Sequence, residues 1–312
     1  MKNRLSYSSM LAAAVVVAAM SSCSAEEKPT TENRVAVRFD ANISAEVSSD
    51  KTNGAKTRAV DAQWSDGDQI GIYMVKAGQP LTPENIAEEV EDVIYATDGT
   101  GAFVPSEGET TIYYPIEGSV DFVAYYPHGN ALYTSAVGYR YLVDLTDQSD
   151  QEAIDFMYAK TTGKDKSQPA VELEFKHMLS KIVFNITPGE GLTQDDLDNL
   201  VVTIARAGFQ QVFLLNEGMF DRGTATITIT TKATDPGVLY EAILMPYSEF
   251  STYEVTFNLN NGADEPFNWT MNQTLAPGTK YTFNATLNRT AADVTGTISD
   301  WNKVDGGSVI AD

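Results

Sequence analysis

From Val35 onward the chain alternates. Val35, Val37, Phe39, Ala41, Ile43, Ala45 and Val47 hold the odd positions, while Arg38, Asp40, Asn42, Ser44 and Glu46 hold even ones. A period of two puts successive side chains on opposite faces of an extended backbone, so 35–47 predicts a strand with one apolar face. The stretch after it, 48–63 (SSDKTNGAKTRAVDAQ), has no such face and is rich in Lys, Ser, Thr, Asn and Gly. Loops beyond about 12–15 residues inside a compact domain are mostly functional or disordered. Arg58 lies within this one. Short strand-like runs follow at 70–75, 93–96, 111–114, 120–126, 139–145 and 156–159, punctuated by turn signals such as Gly67-Asp68, Asp98-Gly99, Glu117-Gly118 and Pro127.

One helix is expected near 82–93, where Thr82 can cap, Pro83 suits the first helical position, and Ile86, Val90 and Val93 follow helical spacing. Residues 161–169 (TTGKDKSQP) read as an internal linker. A second β series occupies 171–186, 201–205, 212–215, 224–230, 240–245, 253–259, 267–271, 281–287 and 294–301. Gln194–Asn199 adds a single helical turn, with Thr193 as cap and Asp196 beside the exposed N–H groups. Many short strands with little helix predict an all-β protein of two tandem antiparallel β-sandwich domains, 35–165 and 166–312. The two series share no strict period, which argues against a propeller or solenoid.

The start of the chain reads as an export signal spanning 1–22. Lys2 and Arg4 precede the uninterrupted apolar run Met10–Met20, which is about right for a signal core and short of the roughly 20 residues that span a bilayer. Small residues Ser21 and Ser22 precede Cys23, as in a lipoprotein signal whose cysteine becomes the acylated first residue. Attachment to the outer membrane is therefore expected through lipid on Cys23. Residues 23–34 read as a polar tether, opening with the acidic Ser24-Ala25-Glu26-Glu27.

Composition narrows the chemistry. With 43 Asp plus Glu against 21 Lys plus Arg, the chain carries a formal charge of −22, a field that repels phosphate backbones and excludes nucleic acid as a partner. One Cys and two His exclude an intrachain disulfide framework and a Cys/His zinc site. Neither a Gly-Xaa-Ser-Xaa-Gly elbow nor a phosphate-cradling Gly/Lys loop is present. No catalytic residue, cofactor or metal site is expected, and the protein reads as a non-enzyme. The acidic loops 65–68, 147–150 and 195–198 lack calcium-loop spacing and read as turns and caps. His128 and His177 read as hydrogen-bonded residues of half-buried strands. Tyr113, Tyr114, Tyr125 and Tyr126 read as core and edge residues, because neighbours in a strand face opposite ways.

Several segments together resemble the fimbrillin family of Bacteroidales, subunits of type V fimbriae. They are the lipoprotein start at Cys23, Thr57-Arg58-Ala59, the run Trp64-Ser65-Asp66-Gly67-Asp68-Gln69-Ile70-Gly71-Ile72-Tyr73, Phe122–Pro127, Phe175–Ile182, and Ile298-Ser299-Asp300-Trp301. The resemblance implies two β-sandwich domains of transthyretin-like type, export as a lipoprotein, and cleavage by an arginine-specific protease between Arg58 and Ala59. It implies loss of the first strand, carried here by Val35, Val37, Phe39, Ala41, Ile43 and Val47. The emptied groove would take the C-terminal strand of another fimbrial subunit, in a homo- or hetero-polymer. The donor would be built from Val294, Ile298, Trp301, Val304, Val309 and Ile310, with Gly306-Gly307 interrupting it. A host or bacterial surface receptor is the further partner such a filament would meet. The alternative from a different class is a monomeric surface lipoprotein that binds glycans.

Overall fold

The structure, a computed structural model, describes residues 34–44, 63–129, 131–221, 223–246, 251–259, 266–289, 291–301 and 308–310. More than half of these residues lie in strands and almost none in helix. In order they form β1 (Arg38–Ile43), β2 (Asp66–Lys76), β3 (Val93–Asp98), β4 (Ala102–Pro105), β5 (Val120–Tyr126), β6 (Ala131–Thr134), β7 (Gly138–Asp144), β8 (Met157–Lys164), β9 (Ala170–His177) and β10 (Ser180–Pro188). The later strands are β11 (Val201–Gly208), β12 (Gln210–Leu214), β13 (Met219–Phe220), β14 (Thr226–Thr230), β15 (Lys232–Asp235), β16 (Leu239–Leu244), β17 (Thr252–Asn258), β18 (Phe267–Asn272), β19 (Thr279–Asn288), β20 (Ala291–Asp300) and β21 (Ser308–Ile310). One four-residue helix, α1 (Gln151–Ile154), is capped by the Asp150 carboxylate.

Seven strands close a barrel in the order β1-β4-β3-β2-β5-β8-β9. Its interior is apolar because the inward residues of each strand alternate with residues facing out. The barrel wall is covered on one side too, which explains why every residue of β5 is buried. Val120, Phe122, Ala124 and Tyr126 fill the barrel, while Val123 and Tyr125 join a second core with Tyr139, Tyr141 and Val143 of β7. The other strands form a six-stranded sheet β15-β16-β10-β19-β20-β21 and two four-stranded sheets, β14-β11-β17-β18 and β13-β12-β7-β6. Among the described residues two pairings are parallel, β1 with β9 and β10 with β19.

The all-β expectation holds, and its details change. β1–β5 with β8 and β9 close into a barrel instead of a purely antiparallel sheet, because β1 enters parallel to β9 and joins it to β4. The sheet β13-β12-β7-β6 draws strands from both halves of the chain. Residues 161–169, read as a linker, finish β8 and turn into β9, which pairs with both β8 and β1.

The helix expected at 82–93 is absent. Only a 3-10 turn forms at Pro83–Asn85, and Thr82 makes no side-chain capping bond to it. The backbone bonds of the segment go to the neighbouring strand instead: Ala87 N–H donates to Met74 O at 2.8 Å, and Met74 N–H donates to Val90 O at 3.1 Å. Left-handed φ angles at Glu88, Glu89 and Asp92 (52°, 61° and 53°) complete a turn that buries Ala87 and Val90 without a helix. The short turn expected at 194–199 is a 3-10 turn at Asp195–Leu197, with the Asp196 carboxylate accepting from the N–H and hydroxyl of Thr193.

Candidate functional site: the slot filled by the first strand

β1 is gripped on both edges. On one side all six of its residues pair with β9, from Arg38 opposite Ala170 to Ile43 opposite Phe175, and bonds from Arg38 N–H to Pro169 O and from Ser44 N–H to Phe175 O extend the ladder. Across from it, Phe39 and Asp40 pair with Phe103 and Ala102 of β4. That edge is lengthened by Tyr114 N–H to Val35 O (3.0 Å), Val37 N–H to Ile112 O (2.9 Å) and Ala41 N–H to Gly101 O (2.7 Å). Ahead of the strand, Arg34 pairs with Glu88, and its guanidinium lies 5.4 Å over the Tyr113 ring.

The apolar face predicted from the alternation points into the barrel. Val37, Phe39 and Ala41 are buried, with Val35 and Ile43 packed at the edge of the same core, while Arg38, Asp40 and Asn42 are exposed. Phe39 is 2% exposed and meets Tyr95 and Phe122 edge-on, both at 5.2 Å. The Tyr95 oxygen accepts from Ile112 N–H at 2.8 Å, and burial raises the pKa of this phenol above 10.0, so it stays neutral in the wall of the socket. A fully buried Val, Ile or Phe side chain contributes about 1.5–3 kcal/mol, so the apolar face of this strand is worth on the order of 10 kcal/mol.

Two further residues fix the middle of the strand. Trp64 sits edge-on among Phe103, Tyr126 and Phe175 at 5.0–5.4 Å, and its indole N–H donates to Ala41 O at 2.9 Å. Gly101, at φ +88°, approaches so closely that a Cβ there would stand 2.8 Å from Ala41 O. Gly101 was not singled out from the sequence, and Trp64 entered only as the first residue of a run that carries the family resemblance, with no role at the strand. Their signals were a tryptophan placed directly after the long loop and a second glycine two residues beyond the Asp98-Gly99 turn.

A cavity of about 800 Å³ opens at the Ile43 end of the strand, lined among others by Trp64, Asp68, His177, Lys181 and Trp301. His177 is buried at the end of β9, with its Nδ1 2.9 Å from the Asp155 carboxylate and its ring stacked on Trp301 at 4.3 Å. His128 follows the end of β5, with Nε2 3.8 Å from the Asp92 carboxylate. Tyr114, Tyr125 and Tyr126 are buried, the last two on opposite sides of the barrel wall. The expected acidic loops serve local structure: Asp68 accepts from Ser65 N–H, and Asp147 accepts from Ser149 N–H.

Val47, Cys23, Arg58, Ala59 and Val304 lie outside the described residues. Of the other expected donor residues, Val294 is buried and Ile298 is 39% exposed. Trp301 is 1% exposed and its backbone N–H donates to Gly278 O at 2.7 Å, so it anchors the end of β20 to the body of the protein. The backbone of Val309 and Ile310 pairs with Gly296 and Thr295, making β21 the last strand of its sheet.

Fold and slot define an all-β protein whose barrel is completed by its own first strand. The profile of the fimbrillin-like family matches residues 57–301. A Bacteroides uniformis protein named as fimbrium subunit Fim1C is 33% identical over 280 residues, covering 84% of this chain and 87% of that protein. A crystal structure of a Bacteroides uniformis protein described as a cell adhesion protein superposes with a TM-score of 0.69 at 29% identity, covering 86% of this chain and 99% of that one. A Bacteroides ovatus protein similarly described shares the fold, with a TM-score of 0.66 at 23% identity over 87% of this chain and 99% of its own. The chain belongs to the fimbrillin-like family, a family of fimbrial and cell-adhesion subunits rather than of enzymes.

Proposed function

We propose that the protein is a structural subunit of a surface fimbria that assembles by strand replacement. It is exported and lipidated on Cys23, cut after Arg58 by an arginine-specific protease, and stripped of β1. The slot is then filled by the C-terminal strand of a neighbouring subunit.

The observation that carries this reading is the position of β1, which lies between β4 and β9 and closes the barrel. A strand held by on the order of 10 kcal/mol of apolar burial does not leave unaided. Cutting within 45–62 makes it a separate segment, and an equivalent strand can then take its place with little net change in burial. An unfilled slot would expose unpaired N–H and C=O groups along both β4 and β9, edges that template pairing with another chain. Two further facts support the reading. The family match begins at Thr57, beside Arg58, and ends at Trp301, leaving out both β1 and the segment after Trp301. At the other end of the chain, among the described residues, β21 pairs with β20 alone, through three residues.

The test compares wild type with Arg58→Ala after treatment with an arginine-specific protease. Wild type is expected to yield chains that begin at Ala59 and SDS-resistant ladders, and Arg58→Ala to remain full-length and monomeric. If Arg58→Ala assembles as well as wild type, the proposal fails.

A further inference from the structure

We infer that the slot selects its occupant by a local code, an aromatic residue followed two positions later by a small one, and that this code favours a chain of different sequence over a second copy of this one. The inference rests on the strand-replacement reading. Backbone ladders cannot supply such selection. A slip of two residues keeps the same face inward and renews every ladder bond, so only side-chain fit separates one register from the next.

Two adjacent features of the slot provide that fit. The first is the socket of Tyr95 and Phe122, whose rings meet Phe39 edge-on at 5.2 Å. The second is the clamp on residue 41. Trp64 is locked among Phe103, Tyr126 and Phe175 and bonds the Ala41 carbonyl, while Gly101 bonds the Ala41 N–H and leaves no room for a side chain of its own. Ala41 itself is 3% exposed. Its side chain belongs to the buried barrel core, so a larger one at this point would have to displace buried neighbours, and a well-packed core resists added volume.

Trp64 lies after Arg58 in the chain, so a cut at Arg58 leaves it with the body of the protein. An empty slot then holds an indole N–H that has lost its acceptor, and a carbonyl of the incoming strand restores the bond.

Residues 289–312 of this chain do not carry the code. Their one aromatic, Trp301, is followed two positions later by Lys303, and the closest small-residue pattern, Val294-Thr295-Gly296, lacks the aromatic. The pattern that fits is that of a separate subunit presenting an aromatic-Xaa-small strand parallel to β9.

The experiment uses the full chain, cut within 45–62 and exchanged under mild denaturant with fluorescent peptides. Binding is read by anisotropy. The peptide of residues 34–44 is expected to bind, and its Phe39→Ala and Ala41→Leu versions to bind at least about fivefold more weakly. The peptide of residues 289–312 should compete poorly with it. In the protein, Trp64→Phe keeps the ring and removes the donor, and should weaken the unaltered peptide by about two- to tenfold. Uptake of the Ala41→Leu peptide or of 289–312 as tight as that of 34–44 overturns the inference and leaves strand replacement standing. Failure of the unaltered peptide to enter the cut protein overturns strand replacement itself, and the inference with it.

Discussion

Phe39 and Asp40 are neighbours in the chain with opposite surroundings. The first lies in the aromatic socket inside the barrel and the second is exposed. Phe39→Ala should lower stability by about 3–5 kcal/mol, the usual cost of emptying a large aromatic site, whereas Asp40→Ala should stay within about 0.5 kcal/mol. Urea unfolding of the two variants decides it; equal losses would mean that β1 does not sit face-inward as described. This contrast was legible in the sequence, because the alternation from Val35 already separated inward from outward residues. Tyr125 and Tyr126 were legible in the same way, as adjacent residues on opposite faces. Trp64 and Gly101 were not. Their importance comes from where another strand's carbonyl falls, and nothing local to either residue encodes that position.

At the scale of the element, β1 depends on a backbone approach that Gly101 alone makes possible. Gly101→Ala adds a left-handed φ penalty of roughly 1–2 kcal/mol to a clash with the Ala41 carbonyl, without altering β1 itself. The variant should loosen the strand specifically: amide exchange at Ala41 should quicken far more than exchange in β19, a central strand of another sheet. Uniform quickening across both would argue against a local role. The strand signal at 35–47 was strong because its period is unbroken, but its partners lie too far along the chain for a pattern to show them. β9 is more than a hundred residues away. The failed helix at 82–93 has a related cause. Ile86 and Val90 have helical spacing, yet the segment gains more by bonding its backbone to β2, and tertiary context overrides a weak local preference.

Across the whole molecule, tyrosine phenols are a shared structural material. Burial, followed by the nearby Asp92 carboxylate, raises the pKa of Tyr73 and Tyr125, and burial followed by Glu91 does so for Tyr139. For Tyr114, burial followed by Asp165 pushes it up to about 12. A phenol whose folded pKa is raised stabilises the fold fully below the unfolded value of 10.0 and loses that contribution as pH climbs through the folded one. The contribution of the phenols should therefore be level to about pH 9 and be lost above about pH 10, with tyrosinate absorbance rising together with unfolding. Tyrosinate absorbance that rises fully before any loss of structure would contradict it. Aromatic content and charge were plain in the sequence, but the interleaving of β6 and β7 with β12 and β13 was not, since it joins residues from both halves of the chain. The parallel alignment of β1 with β9 has a mechanical consequence. Six facing residues lie side by side along a common axis, so a pull along that axis loads their bonds in shear, where they must give way together. A pull across it would peel them one at a time. The occupant of this position is thus best placed to withstand stretching along its own length, the direction in which a thread carries load.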